Sequence, residues 1–305
     1  MSLKSIVRAL GGDLYDGGRR ANIPAPGHSR HDRSVSLLER DGRIIVHAFG
    51  DGDWRAARDD LRARGLLGDG GLATGSLARA IDPGDDGRVR RRQIARDLWT
   101  AGRPIAGSLS ERHCRHRGLI GSLPDAQGLR HHGLAPLSVY RPGGATRPAL
   151  LAAVRDPEGA VSAVEITYLG PGGRRAVDVR LSRKTVGVIP PSSAVRLDPW
   201  GPDLLVAEGV FTALSARRRF GLPAWALLST SNLRSWSPPP DVRSVLIAAD
   251  RGPDGEASAR ILAKALRALG IQTRIVLPPA PHGDWNEAEA AARLCGGGAG
   301  GAKRK

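Results

Sequence analysis

Residues 245–255 read "VLIAADRGPDG", a run of apolar side chains that stops on Asp250 and then turns through Gly252 and Gly255 towards a helix. An unbroken apolar run bounded by turn residues is the pattern of a strand covered on both faces. Open parallel sheets place their chemistry at the carboxyl ends of such strands, which is where Asp250 stands. The flanking sequence repeats the arrangement. "DLLVA" (203–207) runs into Glu208, "AWALL" (224–228) is a further short strand, and "TRIVL" (273–277) leads to Asp284 in "HGDWNE". Helices are expected over "GVFTALSARRRFG" (209–221) and "EASARILAKALRALG" (256–270), the second with Ile261, Leu262, Ala265, Leu266 and Leu269 on its inner face. Strands alternating with helices of about 10–15 residues imply right-handed crossovers and a parallel sheet.

In that layout Glu208, Asp250 and Asp284 gather on one sheet edge. Carboxylates meeting there repel one another unless a cation sits among them. Mg²⁺ or Mn²⁺, hard ions taking oxygen ligands, are the natural occupants. The plainer alternative is that an acid after a strand caps the next helix, a role open to both Asp254 and Asp284.

Composition narrows the partners. The chain has 305 residues, 46 Lys plus Arg against 30 Asp plus Glu, and a formal charge of +16. Such an excess favours polyanions, of which nucleic acid is the commonest. A GC-rich coding sequence, which inflates Arg, Ala and Gly together, is the bland alternative. Lysines stand only at 4, 184, 264, 303 and 305, so the charge is carried by arginine. No apolar stretch approaches the roughly 20 residues of a membrane span, and the N-terminus lacks a secretory pattern, so a cytoplasmic protein is expected. Cys114 and Cys295 lie far apart, with no partner at metal-ligand spacing, and read as incidental thiols.

Upstream, "SVSLLERDGRIIVHAFG" (34–50) reads as a hairpin turning near Gly42. It precedes a helix in "DWRAARDDLRARGLL" (53–67) with Ala56, Leu61 and Leu66 facing inward. A polar, glycine-rich linker follows to about Arg92. Beyond it come a helix in "QIARDLWTAG", a second in "SLSERHCRHRGLI", and an antiparallel meander over "ALLAAVRDPEGAVSAVEITYLGPGGRRAVDVRLS".

"LLVAEGVFTALSA", "VLIAADRGPDGEASARILAKAL" and "GDWNEA" together resemble the Toprim domain of bacterial DnaG-type, plasmid and phage primases. The resemblance implies an α/β fold. A Toprim-type parallel sheet has helices on both faces, preceded by an α+β primase subdomain and a small hairpin-plus-helix module. The implied segments are a degenerate zinc-ribbon-like module (1–70), a linker (71–93), the first half of the catalytic core (94–197), the Toprim domain (198–295) and a disordered basic tail (296–305). The family's glutamate motif falls on Glu208 and its aspartate motif on Asp250. The acid before Trp and Asn falls on Asp284, and a lysine of the preceding half on Lys184. The resemblance implies catalysis by Glu208, Asp250 and Lys184, with Mg²⁺ or Mn²⁺ held by Glu208, Asp250, Asp254 and Asp284. The family's second aspartate is Gly252 here, and the next acid is Asp254, read either as a displaced ligand or as a helix cap.

The first 70 residues depart further. Ala25, Ala48 and Asp53 stand where ribbon thiolates belong, and His28, His31 and His47 do not make a tetrahedral set, so zinc is not expected. Template contacts there are expected from Arg30, Arg33 and Arg43, the alternative being a solvated basic face. The function implied is a primase: a nucleotidyltransferase making short RNA primers on single-stranded DNA from nucleoside triphosphates. The missing GxxxxGK[ST] motif leaves any replicative helicase as a separate partner. The alternatives are a non-catalytic nucleic-acid-binding Toprim protein and a Toprim nuclease.

Overall fold

A computed structural model describes residues 2–28, 30, 32–40, 42–48, 53–68, 85–119, 121, 123, 127–140 and 143–296. The chain divides into two compact units, residues 1–83 and 84–305.

The first unit is a four-stranded antiparallel sheet with two helices packed on its apolar face. Its strands are β1 (Asp13–Tyr15), β2 (Arg20–Ile23), β3 (Val35–Arg40) and β4 (Arg43–Ala48), paired in chain order. Alternate residues Ala21, Ile23, Val35, Leu37, Ile44 and Val46 turn inward with the period of a strand. Helix α1 (Leu3–Leu10) adds Leu3 and Ile6 to this core, and α2 (Trp54–Ala63) adds Ala57 and Leu61. Ala56, expected inside, is exposed, because the i, i+4 pair that shares a face with Leu61 is Ala57. Asp53 caps α2 by accepting the Arg55 amide.

The second unit begins with α3 (Asp85–Thr100), which starts inside the stretch read as linker; residues 69–84 lie outside those described. Buried Ala95, Leu98 and Trp99 anchor the helix, and its arginine-rich first half extends it because arginine is a good helix former. After α4 (Leu109–His116), strands β5 (Leu129–Pro136), β6 (Thr146–Arg155), β7 (Val161–Tyr168) and β8 (Arg183–Gly187) form an antiparallel array.

The Toprim-like half supplies β10 (Asp203–Ala207), β11 (Ala224–Ala226), β12 (Ser244–Ala248) and β13 (Gln272–Val276), all parallel in the order β13-β12-β10-β11. The two halves share one sheet. The short β9 (Ala194–Arg196) lies antiparallel to both β11 and β6 and joins the two arrays into nine strands.

Both faces of the parallel strands are covered, as their apolar runs require. Leu205, Ala207, Leu246 and Ala248 meet α5 (Val210–Phe220) through Val210, Ala213 and Leu214. Leu204, Val206, Val245 and Ile247 meet Leu233 of α6 (Thr230–Ser235) and Ala259, Leu262, Ala263 and Leu266 of α7 (Pro253–Ala268). Ile261 and Ala265 of α7, and Leu269 just after it, are exposed, contrary to expectation; the stripe that faces the sheet is the i, i+3, i+4, i+7 set starting at Ala259. The last helix, α8 (Trp285–Gly296), packs Trp285 edge-on against Phe220 of α5, with ring centroids 5.1 Å apart. Among the described residues no helix is long and apolar enough to cross a membrane.

Candidate active site

Strand register brings the acids together. Ala207 of β10 lies beside Ala248 of β12, so Glu208 and Asp250 leave the sheet on the same edge. The Glu208 backbone carbonyl is fixed by the Leu228 amide at 2.7 Å. Asp250 is held by the loops around it: the Arg251 amide donates to the Gly283 carbonyl at 2.7 Å. Gly255 lies so close that a Cβ there would stand 2.6 Å from the Asp250 carbonyl oxygen. No residue larger than glycine fits at 255 without moving the acid.

Burial pushes the Asp250 carboxyl up to about 7, with the nearby charges of Glu208 and Asp284 adding to the effect and a hydrogen bond from Thr212 opposing it. Burial also raises Glu208; Arg183 and Arg234 oppose that rise and Asp254 adds to it.

Asp254 sits in the first turn of α7 without capping it. Gly252, at φ 130°, is the N-cap, and its amide is met by Glu256 Oε1 at 3.3 Å. Asp284 does act as a cap: its Oδ1 accepts the Glu287 amide at 2.7 Å, and Glu287 Oε2 accepts the Gly283 amide at 2.8 Å, a reciprocal capping box. Among the described residues no three His, Cys, Asp or Glu side chains stand close enough to enclose an ion. The expected four-ligand set of Glu208, Asp250, Asp254 and Asp284 is not gathered around one point, and Asp284 Oδ1 is engaged by its own helix. A divalent cation nevertheless fits the edge. Asp250 Oδ1 is buried with no hydrogen-bond partner, an acceptor facing nothing that satisfies it. With Glu208 beside it, the donor set is all oxygen, as Mg²⁺ requires.

Lys184 is not at this edge. Its ammonium donates to the Leu137 carbonyl at 2.6 Å and lies 5.2 Å from the Tyr168 ring centre, and burial lowers its pKa. It shares the strand face of buried Val186, which packs with α3 residues. Its neighbour Arg183, on the opposite face, is one of two cations, with Arg234, whose charge reaches Glu208. Arg183 Nε also lies 3.9 Å from Glu165 Oε2, a carboxyl that burial raises and Arg183 draws back.

Arg183 opens onto a cavity of about 290 Å³ lined by His113, His116, Arg117, Arg174, Arg175 and Phe211, together with Thr167. The Arg117 guanidinium lies over the Phe211 ring, 5.0 Å from its centre, and its buried Nε has no hydrogen-bond partner. Burial lowers the Arg117 pKa and the Asp284 charge raises it, which places this cation beside the acidic edge. His113, whose Nδ1 meets the Gly173 carbonyl at 3.0 Å, is driven by burial down to about 4 and is neutral at physiological pH. Cys114 beside it is wholly buried, with its thiol pushed up to about 12, an inert core residue. Four arginines in one cavity next to the acids make a site for a polyanion. The sequence reading missed it.

In the first unit, Arg30 and Arg43 are exposed, but Arg33 is structural: its Nε donates to Asp13 at 2.9 Å and its Nη1 to the carbonyls of Arg30 and Asp32. His31 lies outside the described residues. His28 Nδ1 meets Asp32 Oδ2 at 3.1 Å. The same carboxylate accepts the amides of Ala25 and Arg33 and the Ser34 hydroxyl. Burial would raise Asp32, but these donors outweigh it and hold the carboxyl below its ordinary value.

Residues 203–292 match the Toprim domain. Residues 89–197 match a domain of unknown function (DUF7146). Among solved structures, the primase fragment of the bacteriophage T7 primase-helicase is 15% identical, with 90% of this chain and 96% of that chain covered and a TM-score of 0.41. The Aquifex aeolicus primase, with its zinc-binding and RNA polymerase domains, is 15% identical over 97% of this chain and 83% of that chain, at 0.42. A DnaG primase catalytic domain bound to single-stranded DNA is 16% identical over 69% and 79%, at 0.44. A comparison with curated protein sequences found no match.

Proposed function

We propose that the chain is a primase-type nucleotidyltransferase that makes short RNA primers on single-stranded DNA. The observation that carries the reading is the pairing of an acidic sheet edge, where Asp250 keeps a buried, unpartnered oxygen, with a four-arginine cavity beside it. Phosphoryl transfer asks the protein for positioning and charge neutralisation more than for covalent chemistry. A triphosphate needs cations along its length, and a divalent ion needs carboxylates at the reacting phosphorus. The two halves of the site meet those needs separately.

Glu208 and Asp250 would hold Mg²⁺ or Mn²⁺, with Asp254 close enough to Glu208 to contribute a charge. A bound Mg²⁺ supplies neutralisation of the phosphate oxygens and a lower pKa for the attacking 3′-hydroxyl. Arg117, Arg174, Arg175 and Arg183 bind the phosphate tail and orient it towards the acids. Neutral His113 fixes the loop that carries Arg174 and Arg175 rather than adding charge. Single-stranded template is drawn by the arginine-rich surface, and Arg30 and Arg43 are the first unit's candidates for contact with it. The partners are then single-stranded DNA, nucleoside triphosphates and a replicative helicase, in the cytoplasm.

A second reading, a nucleic-acid-binding Toprim protein without catalysis, is favoured by Gly252 and by the unassembled four-acid set. Incorporation of labelled ribonucleotides by the full chain on single-stranded DNA, with Mg²⁺ and with EDTA, separates the two. Metal-dependent, template-dependent oligomers support the primase. Binding of DNA without product supports the second reading, and metal-dependent shortening of the DNA would make the protein a nuclease.

A further inference from the structure

Arg117 has an unusual support. It is the residue that ends α4, and a free helix end leaves carbonyls without partners. Here the Arg117 carbonyl accepts a hydrogen bond from Asn286 Nδ2 at 2.7 Å, from a residue 169 positions later in the chain. The same Nδ2 reaches Ser215 Oγ of α5 at 3.1 Å, and Asn286 is 3% exposed. The following Gly118, at φ 81°, lies against α8, where a Cβ would stand 3.4 Å from the Ala290 Cα. Asn286 comes two residues after Asp284, whose carboxylate caps α8 and whose charge is felt by both Asp250 and Arg117.

We infer that Asn286 is a positioning residue that sets Arg117 in the anion cavity, so that α8 fixes the spacing between the acidic edge and the phosphate-binding arginines. The inference rests on the reading of that cavity as a triphosphate site. The Arg117 side chain has no hydrogen bond of its own at Nε, so its place is set by the Phe211 ring beneath it and by its own backbone. That backbone is held at its N–H by the His113 and Cys114 carbonyls, at 3.0 and 3.1 Å, and at its carbonyl by the Asn286 amide. Displacing that amide moves the guanidinium without removing a charge.

Inorganic tripolyphosphate, titrated calorimetrically into the metal-free full chain, tests this without relying on turnover. Asn286→Gln keeps the amide but moves it by one methylene. It should weaken tripolyphosphate binding by roughly tenfold, about what one charge-assisted phosphate contact is worth. Arg117→Met should weaken it at least as much, and Asn286→Gln in the Arg117→Met background should add nothing further. Ser215→Ala, which removes the other partner of the same amide, should bind as wild type. Melting curves run in parallel establish that each variant is folded, and Asn286→Ser replaces Asn286→Gln if the latter is not. Wild-type affinity in the Asn286 variant, or an equal loss with and without Arg117, overturns the inference. An Arg117→Met variant that binds as wild type, or a wild-type chain that does not bind, refutes the triphosphate reading of the cavity itself.

Discussion

Asp250→Asn should stabilise the metal-free protein while abolishing its response to Mg²⁺. The native carboxyl is pushed up from an ordinary 3.8 to about 7, because it is buried and lies near Glu208 and Asp284. A group with a raised native pKa binds more protons folded than unfolded between those two values, so its contribution to stability falls as pH rises through that window and is flat above it. The shift sets a ceiling of roughly 4 kcal/mol at pH 8. Solvent screening of a part-exposed carboxyl brings this to about 1–2 kcal/mol. Asparagine removes the charge at nearly constant volume. In EDTA at pH 8 the variant should melt roughly 3–6 °C above wild type, the gap closing near pH 4. With Mg²⁺ the order reverses, because binding to the native state lifts only the wild type. Differential scanning calorimetry at both pH values, with and without Mg²⁺, reads all four states. If the variant melts at or below wild type in EDTA at pH 8, Asp250 is not the crowded, desolvated acid on which the account depends.

Gly255→Ala should weaken Mn²⁺ binding about tenfold or more without touching an acid, since the new methyl meets the Asp250 carbonyl; a Mn²⁺ titration checks it. Arg183→Met should cost primer synthesis at least tenfold, whereas Lys184→Met should lower the melting temperature and leave turnover per folded molecule near wild type. Asp32→Ala should destabilise the first unit by about 2 kcal/mol, seen in proteolysis of that unit, because two amides and a hydroxyl lose their acceptor. Affinity for single-stranded DNA should fall steeply with salt as arginine–phosphate contacts release counterions, and a flat dependence would mean the basic composition is incidental.

The parallel strands and their final acids were legible because both signals are local. Apolar runs such as "LLVA" and "VLIAA" declare double-sided burial, and register then places Glu208 and Asp250 together. Strand β9 was not legible: three residues that pair with β6 and β11 carry no periodicity of their own. The arginine cavity was hidden by composition, since Arg117, Arg174, Arg175 and Arg183 do not stand out among so many arginines. Lys184 was named from the resemblance, and strand alternation places it apart from Arg183. Val186 marks its face as the apolar one, leaving Arg183 on the face of Glu165 and Thr167. The role of Asp284 was open between ligand and cap on sequence; its Oδ1 takes the cap, accepting the Glu287 amide.

The central claim is that two strand-final acids hold a divalent cation. Mn²⁺ titrated into the metal-free chain and followed by electron paramagnetic resonance tests it directly. The account predicts saturable Mn²⁺ binding by wild type, competed by Mg²⁺ and lost in both Glu208→Gln and Asp250→Asn, with both variants folded. A wild-type chain that binds no Mn²⁺, or variants that bind it as wild type does, would contradict it.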